Sequence, residues 1–483
     1  MRNVGVAADP QTNGSYSAPL HAGSPHALVF AEYFPPYMGS DRRLFDLVTN
    51  LPDWNVTVAV VPPLRALIGG KAEEALMARF ELHERPWEAP VLSPEHRLRA
   101  HYFRLTRSVQ WLWSTGVLPV AYAYSIPSFV AQSVRLIRQR KPDLVVAGHP
   151  SYLCGLSAIV AARICRVPVL LDYPDAWTPL AVDTAALDPA SATARILRSL
   201  EAFIARRADR ITSITRELAE YVTTDMKATA PISIVGNGGD DTVFVADTPP
   251  APREELGIPL DHEIVVYSGR LEAWSGTEPL IQTIKLVVAQ RPRTTFLILG
   301  DGNSAKRLRE AIRSEGLAAN AVFLGYRRPS EMPSLIALAD LTVIPFPRTR
   351  TTNVCAPIKL YEYMLMNKPI VTTDLPGVRE SVSEEHVHFI PDTEPASLSS
   401  AVVALLADPE RRARLAYHGY ELAKRRFTWR QLGAQFAREM TQTVNARLPR
   451  ERAAKIVAVL DRPLELVPQS LPAEPTGLQA KHH

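Results

Sequence analysis

An alternation constrains this chain more than any other feature. Short runs that are apolar almost throughout recur along it, and each is followed by a segment with helical spacing. The candidate strands of the first half are 26–34, 55–61, 143–148, 167–172, 210–214 and 232–235, with helical stretches such as 41–50 and 152–163 between them. A second series starts after the Pro-rich connector DTPPAPREELGIPLDH and contains EIVVYSG, TTFLILG, AVFLG, LTVIP, PIVTTD and HVHFI. Helical patterns such as 278–290 and 304–314 separate these runs. Strands without a polar face must be covered on both sides, which calls for parallel sheets flanked by helices. Two such series predict an α/β protein of two doubly wound, Rossmann-like domains that meet near 247–261. In such sheets ligands bind beyond the carboxyl ends of the strands, so a cleft between the domains is the expected site.

Length agrees, since 483 residues suit two domains of roughly 200 residues each. A hydrophobic share of 46% and a charged share of 22% exclude a disordered or fibrous chain. The net charge of +4 is too small to argue for nucleic acid as a partner. Cys154, Cys165 and Cys355 match no metal-ligand spacing and predict reduced, buried thiols in a cytoplasmic protein. The first 24 residues lack an apolar segment and read as a flexible lead-in, not a signal peptide. The chain has no GxGxxG, GxxxxGK[ST], HExxH, GxSxG or CxxC, which argues against a nicotinamide enzyme, a P-loop kinase, a zinc protease and a serine hydrolase.

Between His96 and Pro142 there is no acidic residue, and 108–134 carries no charge at all. The uncharged part is long enough to span a bilayer, but Gly116, Pro119 and Pro127 interrupt it. A broken pair of helices, packed on a core or resting on lipid, is the expectation. Basic residues (Arg97, Arg99, Arg104, Arg107, Arg135, Arg138, Arg140 and Lys141) mix with Tyr102, Phe103, Trp111, Trp113, Tyr122, Tyr124 and Phe129. Basic plus aromatic is an interfacial composition, so 97–141 is expected to meet an anionic membrane surface.

The densest chemical signal is APIKLYEYMLMNKPIVTTDLPGVRE at 356–380. Pro357 suits the first turn of a helix, where its missing N–H is not needed. Ile358 and Lys359 then present free N–H groups at a helix start, an arrangement that binds phosphate. Lys359 adds a positive charge. Glu362 supplies a carboxylate able to hold two sugar hydroxyls. The helix is expected to stop at Asn367 before the buried strand KPIVTTD.

This segment resembles the signature of retaining family-4 glycosyltransferases with the GT-B fold, in which two such domains face each other across a cleft. EYFPPYMGSDRR, GNGGDDTVF, YSGRLEAWSGTEPLIQTI, LILGDGNSAKRL, VFLGYRRPSEMPSLIALADLTVIP and FTWRQLGAQF resemble further segments of that family, so the likeness covers about residues 25–445. It implies an N-terminal acceptor-binding domain at 25–247, a C-terminal nucleotide-sugar domain at 248–427, a helix at 428–445 crossing back, and a Pro-containing tail at 446–483. It implies roles as well. Gly39 and Ser40 would form a loop whose N–H groups approach the diphosphate and donor sugar. Arg270 would neutralise the diphosphate, Ala356, Ile358 and Lys359 would bind it at the helix start, and Glu362 would hold the ribose. Gly325, Tyr326 and Arg327 would border the base. His149 would reach the transferred sugar near the reacting carbon. Arg42, Asp175 and Trp177 fall on the acceptor side, and Asp175 with Trp177 match the DxW segment of members that act on polyprenyl-linked sugars.

Two departures stand out. Val354 occupies the place, eight residues before Glu362, where the family often has a Glu. Ser275 occupies the place of the Lys in Arg-x4-Lys-Gly, and Lys359 is the candidate replacement charge. The expectation is an enzyme that moves a sugar, with retention, from a UDP or GDP sugar to a hydroxyl or polyprenyl-phosphate-linked acceptor. It would use no metal and no cofactor, bind no nucleic acid, and lie in the cytoplasm on the inner face of the cell membrane. The competing expectations are a catalytically silent GT-B binding subunit and a GT-B nucleotide-sugar epimerase.

Overall fold

The computed structural model describes residues 16–17, 23–31, 39–60, 98–102, 118–148, 152–183 and 188–447. The first sheet has eight strands: β1 (Tyr16–Ser17), β2 (His26–Ala31), β3 (Asn55–Val60), β4 (Leu98–Tyr102), β5 (Leu144–Gly148), β6 (Val169–Tyr173), β7 (Arg210–Ser213) and β8 (Ile232–Ile234). Their order is β1-β4-β3-β2-β5-β6-β7-β8, parallel except for β1. The second sheet has six: β9 (Glu263–Ser268), β10 (Thr294–Leu299), β11 (Ala321–Gly325), β12 (Leu341–Ile344), β13 (Ile370–Thr373) and β14 (His388–Ile390). Their order is β11-β10-β9-β12-β13-β14, parallel throughout. Strand order reverses between β2 and β5 in one sheet and between β9 and β12 in the other. Those are the two places where a doubly wound sheet opens a crevice for a ligand.

The helices of the first half are α1 (Gly39–Thr49), α2 (Leu118–Arg140), α3 (Cys154–Cys165), α4 (Trp177–Asp183), α5 (Ala192–Ala205) and α6 (Arg216–Thr224). Those of the second are α7 (Leu280–Gln290), α8 (Ala305–Ser314), α9 (Met332–Ala337), α10 (Arg350–Asn353), α11 (Ile358–Leu365), α12 (Pro376–Arg379), α13 (Pro395–Leu406) and α14 (Pro409–Arg426). The last helix, α15 (Trp429–Arg447), returns to the first sheet. Its Trp429, Leu432, Phe436, Met440 and Val444 pack with Ala27, Val29, Leu47, Val56, Leu144 and Val146. Glu439 of α15 anchors it, accepting from Arg210 at 3.0 Å and from the Ser233 hydroxyl at 2.7 Å.

Three expectations are corrected by this arrangement. Pro127 does not interrupt a helix: the acid-free stretch contains β4 and then one continuous 23-residue helix, α2, with Pro127 inside it, while 103–117, which include Gly116, lie outside the described residues. Proline removes one backbone bond there, but Phe129, Ser133, Leu136 and Ile137 bury one face of α2 and hold it on the core. Phe129 is therefore a core residue and not an interfacial one. No helix among the described residues is long and apolar enough to cross a membrane. Trp111 and Trp113 lie outside the described residues. Finally, two residues of the lead-in form β1, which pairs antiparallel with Arg99 and Ala100 of β4.

Candidate active site between the two sheets

The carboxyl end of β9 is where the second domain gathers its cations. After Ser268 the chain turns through Gly269 at φ 133, a backbone conformation open to glycine. A side chain at 269 would strike the Lys359 ammonium, whose Nζ would lie 2.2 Å from the added Cβ. Lys359 is held over the Tyr267 ring at 4.8 Å and the Phe346 ring at 5.2 Å. Two aromatic faces stabilise a cation while excluding water from it. Burial nevertheless lowers the Lys359 pKa from 10.5 to about 8, against the attraction of Glu362. Lys359 thus sits at the opening between β9 and β12, beside Gly269 and Phe346.

Arg270, next in the chain, donates to Glu272 at 2.8 Å, and Glu272 also accepts from the Asn303 amide at 2.9 Å. Ser275 is not an open position. It is buried, and its hydroxyl bonds the carbonyls of Arg270 at 2.6 Å and Glu272 at 2.7 Å, closing the turn that presents Arg270. A lysine at 275 would force that turn open. Serine instead holds Arg270 in place, and the second cation comes from α11. Gly300 supports the same corner: at φ 134 it lies against the Gly269 carbonyl, where a Cβ would come within 1.8 Å. Its N–H donates to the Gly325 carbonyl at 2.7 Å, which ties the predicted base-binding turn to the corner that carries Gly269 and Arg270. In that turn Tyr326 is exposed at 47%, and Arg327 reaches Glu331 at 3.6 Å.

Helix α11 begins at Ile358, with Pro357 as its extended N-cap rather than its first residue. The first-turn N–H groups of Ile358 and Lys359 have no acceptor within the helix. Asn367, at φ 53, stops the chain one residue beyond the helix cap. Glu362 lies one turn into α11. Burial raises its pKa, while Arg42 and Lys359 pull it down and Asp240 pushes it up. Arg42 is thus within electrostatic reach of Glu362. It also pairs with buried Asp46 at 3.0 Å, whose pKa burial raises to about 7.

The neighbouring arginine is the residue that the sequence reading passed over. Arg43 is 1% exposed and donates to both oxygens of Asp172, at 3.0 and 3.1 Å. It also bonds the Val235 carbonyl at 2.7 Å and the Asn237 side-chain oxygen at 3.1 Å. The Asn237 amide in turn donates to the Ala356 carbonyl at 2.8 Å, just before α11. A buried ion pair in the first domain is therefore linked, through Asn237, to the start of α11 in the second. Helical phase was the available signal: Arg43 is four residues before buried Leu47.

Gly39 and Ser40 are the first residues of α1 rather than a loop, so what they offer is the free first-turn amides of a helix. His149 lies outside the described residues. Strand β5 ends one residue earlier at Gly148, packed so closely on Leu44 of α1 that a Cβ would lie 2.0 Å from it. Asp175 follows β6 and faces the second domain: its charge and burial raise the Cys355 pKa to about 12, burial contributing most. The Trp177 ring stands edge-on to Tyr152 with centroids 6.3 Å apart. Val354 is turned away from the crevice and packs against the first-domain core, while its carbonyl accepts from Thr215 at 2.8 Å. On the same side Glu380 receives the Arg216 N–H at 2.7 Å, and Asp183 receives that of Thr351 at 3.2 Å.

Comparison with known proteins places this geometry. Residues 250–422 match the family described as glycosyl transferases group 1, and residues 38–238 match the glycosyl transferase 4-like domain. The chain is 30% identical over 186 residues to alpha-D-kanosaminyltransferase of Streptomyces kanamyceticus, covering 38% of this chain and 47% of that one. It is 26% identical over 327 residues to a GDP-mannose-dependent alpha-(1-6)-phosphatidylinositol monomannoside mannosyltransferase of Mycolicibacterium smegmatis, covering 62% and 85%. Across several of the similar curated relatives, the match spans about half of their length. Among solved structures, Anabaena HepE in complex with UDP has a TM-score of 0.60 at 20% identity, covering 87% of this chain and 100% of that one. Sucrose-phosphate synthase of Thermosynechococcus elongatus has a TM-score of 0.63 at 18% identity, covering 88% and 100%. The chain is a two-domain α/β protein of the GT-B fold, whose first half resembles a glycosyl transferase 4-like domain and whose second half resembles the glycosyl transferases group 1 family.

Proposed function

We propose that the chain is a retaining glycosyltransferase. It moves a hexose from a nucleoside diphosphate to a hydroxyl or polyprenyl-phosphate-linked acceptor, in glycan or glycolipid assembly. The observation that carries this reading is the convergence of Arg270, Lys359 and the α11 start at one end of β9, opposite the turn that bears Asp175. As the bond to the anomeric carbon breaks, negative charge builds on the departing diphosphate. Arg270 can exchange Glu272 for a phosphate oxygen. Lys359, kept short of water, gains a partner, and the α11 amides complete the cradle. Such prearranged charge is the term that usually dominates a group transfer. Glu362 holds the ribose hydroxyls. The acceptor hydroxyl attacks from the face the diphosphate leaves, and the leaving phosphate takes its proton. UDP or GDP is the donor nucleotide; the HepE structure holds UDP, and the mycobacterial relative is named for GDP-mannose.

A thermal-shift panel of UDP, GDP, ADP and TDP sugars tests the donor class, because a ligand stabilises the state that binds it. Glu362→Gln is expected to weaken the selected donor by about 1–3 kcal/mol in calorimetry. Undiminished affinity removes Glu362 from the ribose. Release of the nucleotide only when an acceptor is added separates a transferase from a silent binding subunit and from an epimerase.

The acceptor reading carries a location: the cytoplasmic side of the cell membrane, reached through 97–141. Arg135, Arg138 and Lys141 at the end of α2 form no ion pair among the described residues. Anionic lipid attracts such residues by roughly 1 kcal/mol each near the surface. The protein is expected to float with anionic vesicles, not with neutral ones, and to be released by high salt. Changing Arg97, Arg99, Arg104 and Arg107 to Gln should abolish flotation and leave nucleotide binding intact. A wild type that ignores anionic vesicles at low salt makes a soluble acceptor the better reading.

A further inference from the structure

We propose that Glu201, buried in α5, is the positioning residue of the acceptor-side turn 175–177. The proposal rests on the glycosyl-transfer reading for its consequence, though not for its geometry. Glu201 is completely buried, and both of its carboxylate oxygens are engaged. One oxygen accepts from the Tyr173 hydroxyl, the Trp177 N–H at 3.3 Å and the Tyr221 hydroxyl at 3.5 Å. The other accepts from the Thr178 N–H at 3.2 Å and the Thr178 hydroxyl. These donors come from β6, α4 and α6.

The two backbone donors matter most. They are first-turn amides of α4, which have no acceptor inside their own helix. With both fixed on one carboxylate, the turn from Tyr173 to Trp177 is pinned at each end, and Asp175 lies between the pins. That is the residue whose charge reaches Cys355 across the cleft. The third element, α6, is the one the second domain grips: Glu380 receives the N–H groups of Arg216 and Glu217, and Arg350 stands 5.4 Å over the Tyr221 ring. Glu201 therefore joins the acceptor-side turn to the helix on which the second domain closes.

The test is Glu201→Gln, which keeps size and removes the negative charge. The new NH2 group cannot accept, so a backbone N–H of Trp177 or Thr178 loses its partner. Hydrogen exchange of the protein is expected to quicken about tenfold at those two amides while the strands of both sheets stay protected. With a short polyprenyl-diphosphate-linked sugar as acceptor, the acceptor KM is expected to rise about tenfold, with kcat and donor affinity changed by less than about twofold. Unchanged exchange at Trp177 and Thr178 overturns the proposal, as does a fall in kcat at constant acceptor KM. Thr178→Val, which removes one donor and keeps the shape, provides the same comparison if the first variant does not fold. It should shift both readings in the same direction by about threefold, and wild-type values for both overturn the proposal. The exchange measurement needs no substrate. If the wild type transfers no sugar, the functional reading fails while exchange still decides whether Glu201 holds the turn.

Discussion

Arg43→Met is expected to destabilise the protein by about 3–5 kcal/mol, read as a lower urea midpoint at unchanged slope. The guanidinium gives five hydrogen bonds, two of them to Asp172, and both side chains are 1% exposed. Removing it leaves a buried carboxylate that keeps, among the described residues, the Thr212 hydroxyl as its side-chain donor at 2.7 Å. Arg43→Lys keeps the charge but loses the planar fork, so it should recover only part of the loss. Arg43→Met combined with Asp172→Asn should cost less than Arg43→Met alone, because the uncompensated charge is gone. A loss below about 1 kcal/mol for Arg43→Met would show that the pair contributes no more than a surface contact.

Lys359→Met is expected to lower turnover by about 100- to 1,000-fold, the usual loss when one prearranged charge partner of a transition state is removed. Its proton gives a second measurement. With a folded pKa near 8 against an ordinary 10.5, the folded chain has already lost this proton between those values while the unfolded chain still holds it. Stability therefore rises with pH across that window, and the cost of burying the charge is fully present below it. Donor binding reverses the preference, since a diphosphate favours the charged amine. Donor affinity should fall as pH rises from 8 toward 10, and binding near pH 8.5 should take up protons. Calorimetry in two buffers of different ionisation enthalpy reads that uptake, and Lys359→Met should abolish it. Equal donor affinity at pH 7 and pH 9.5 would separate Lys359 from the phosphates.

The strands were legible because they are buried on both faces. The apolar runs at 26–34, 143–148 and 167–172 coincide with β2, β5 and β6, though the ends drift by up to three residues. Strand β4 was not legible. Its sequence LRAHY alternates around Arg99 and His101, and it lies near the edge of the sheet inside a stretch whose missing acids suggested lipid. Pro127 misled in a different way: a helix breaker is judged locally, but burial of one face of α2 outweighs one lost backbone bond. Arg270, Lys359 and Glu362 could be singled out because strand ends and helix starts carry local signals, and the structure places Lys359 beside Gly269, the residue before Arg270. Arg43 and Glu201 could not be read from residue type, since a charged side chain in an amphipathic helix looks solvated. What places them is the register of their helices against Leu47 and against Ala194, Ala202 and Ala205.

The return of α15 to the first sheet makes that half discontinuous along the chain. The outward crossing and the return run side by side: Gly239 donates to Phe427 at 2.9 Å, and Trp429 donates back to Gly239 at 3.1 Å. Any recombination between relatives must respect this. A chimaera joined only near residue 247 would pair one parent's Ala27, Val29, Leu144 and Val146 with the other parent's Trp429, Phe436 and Met440. These residues form a single core cluster, and mismatched packing there costs the fold before it alters specificity. Exchanging the first half as a working module therefore means moving 429–447 along with it, so the inherited unit has two pieces.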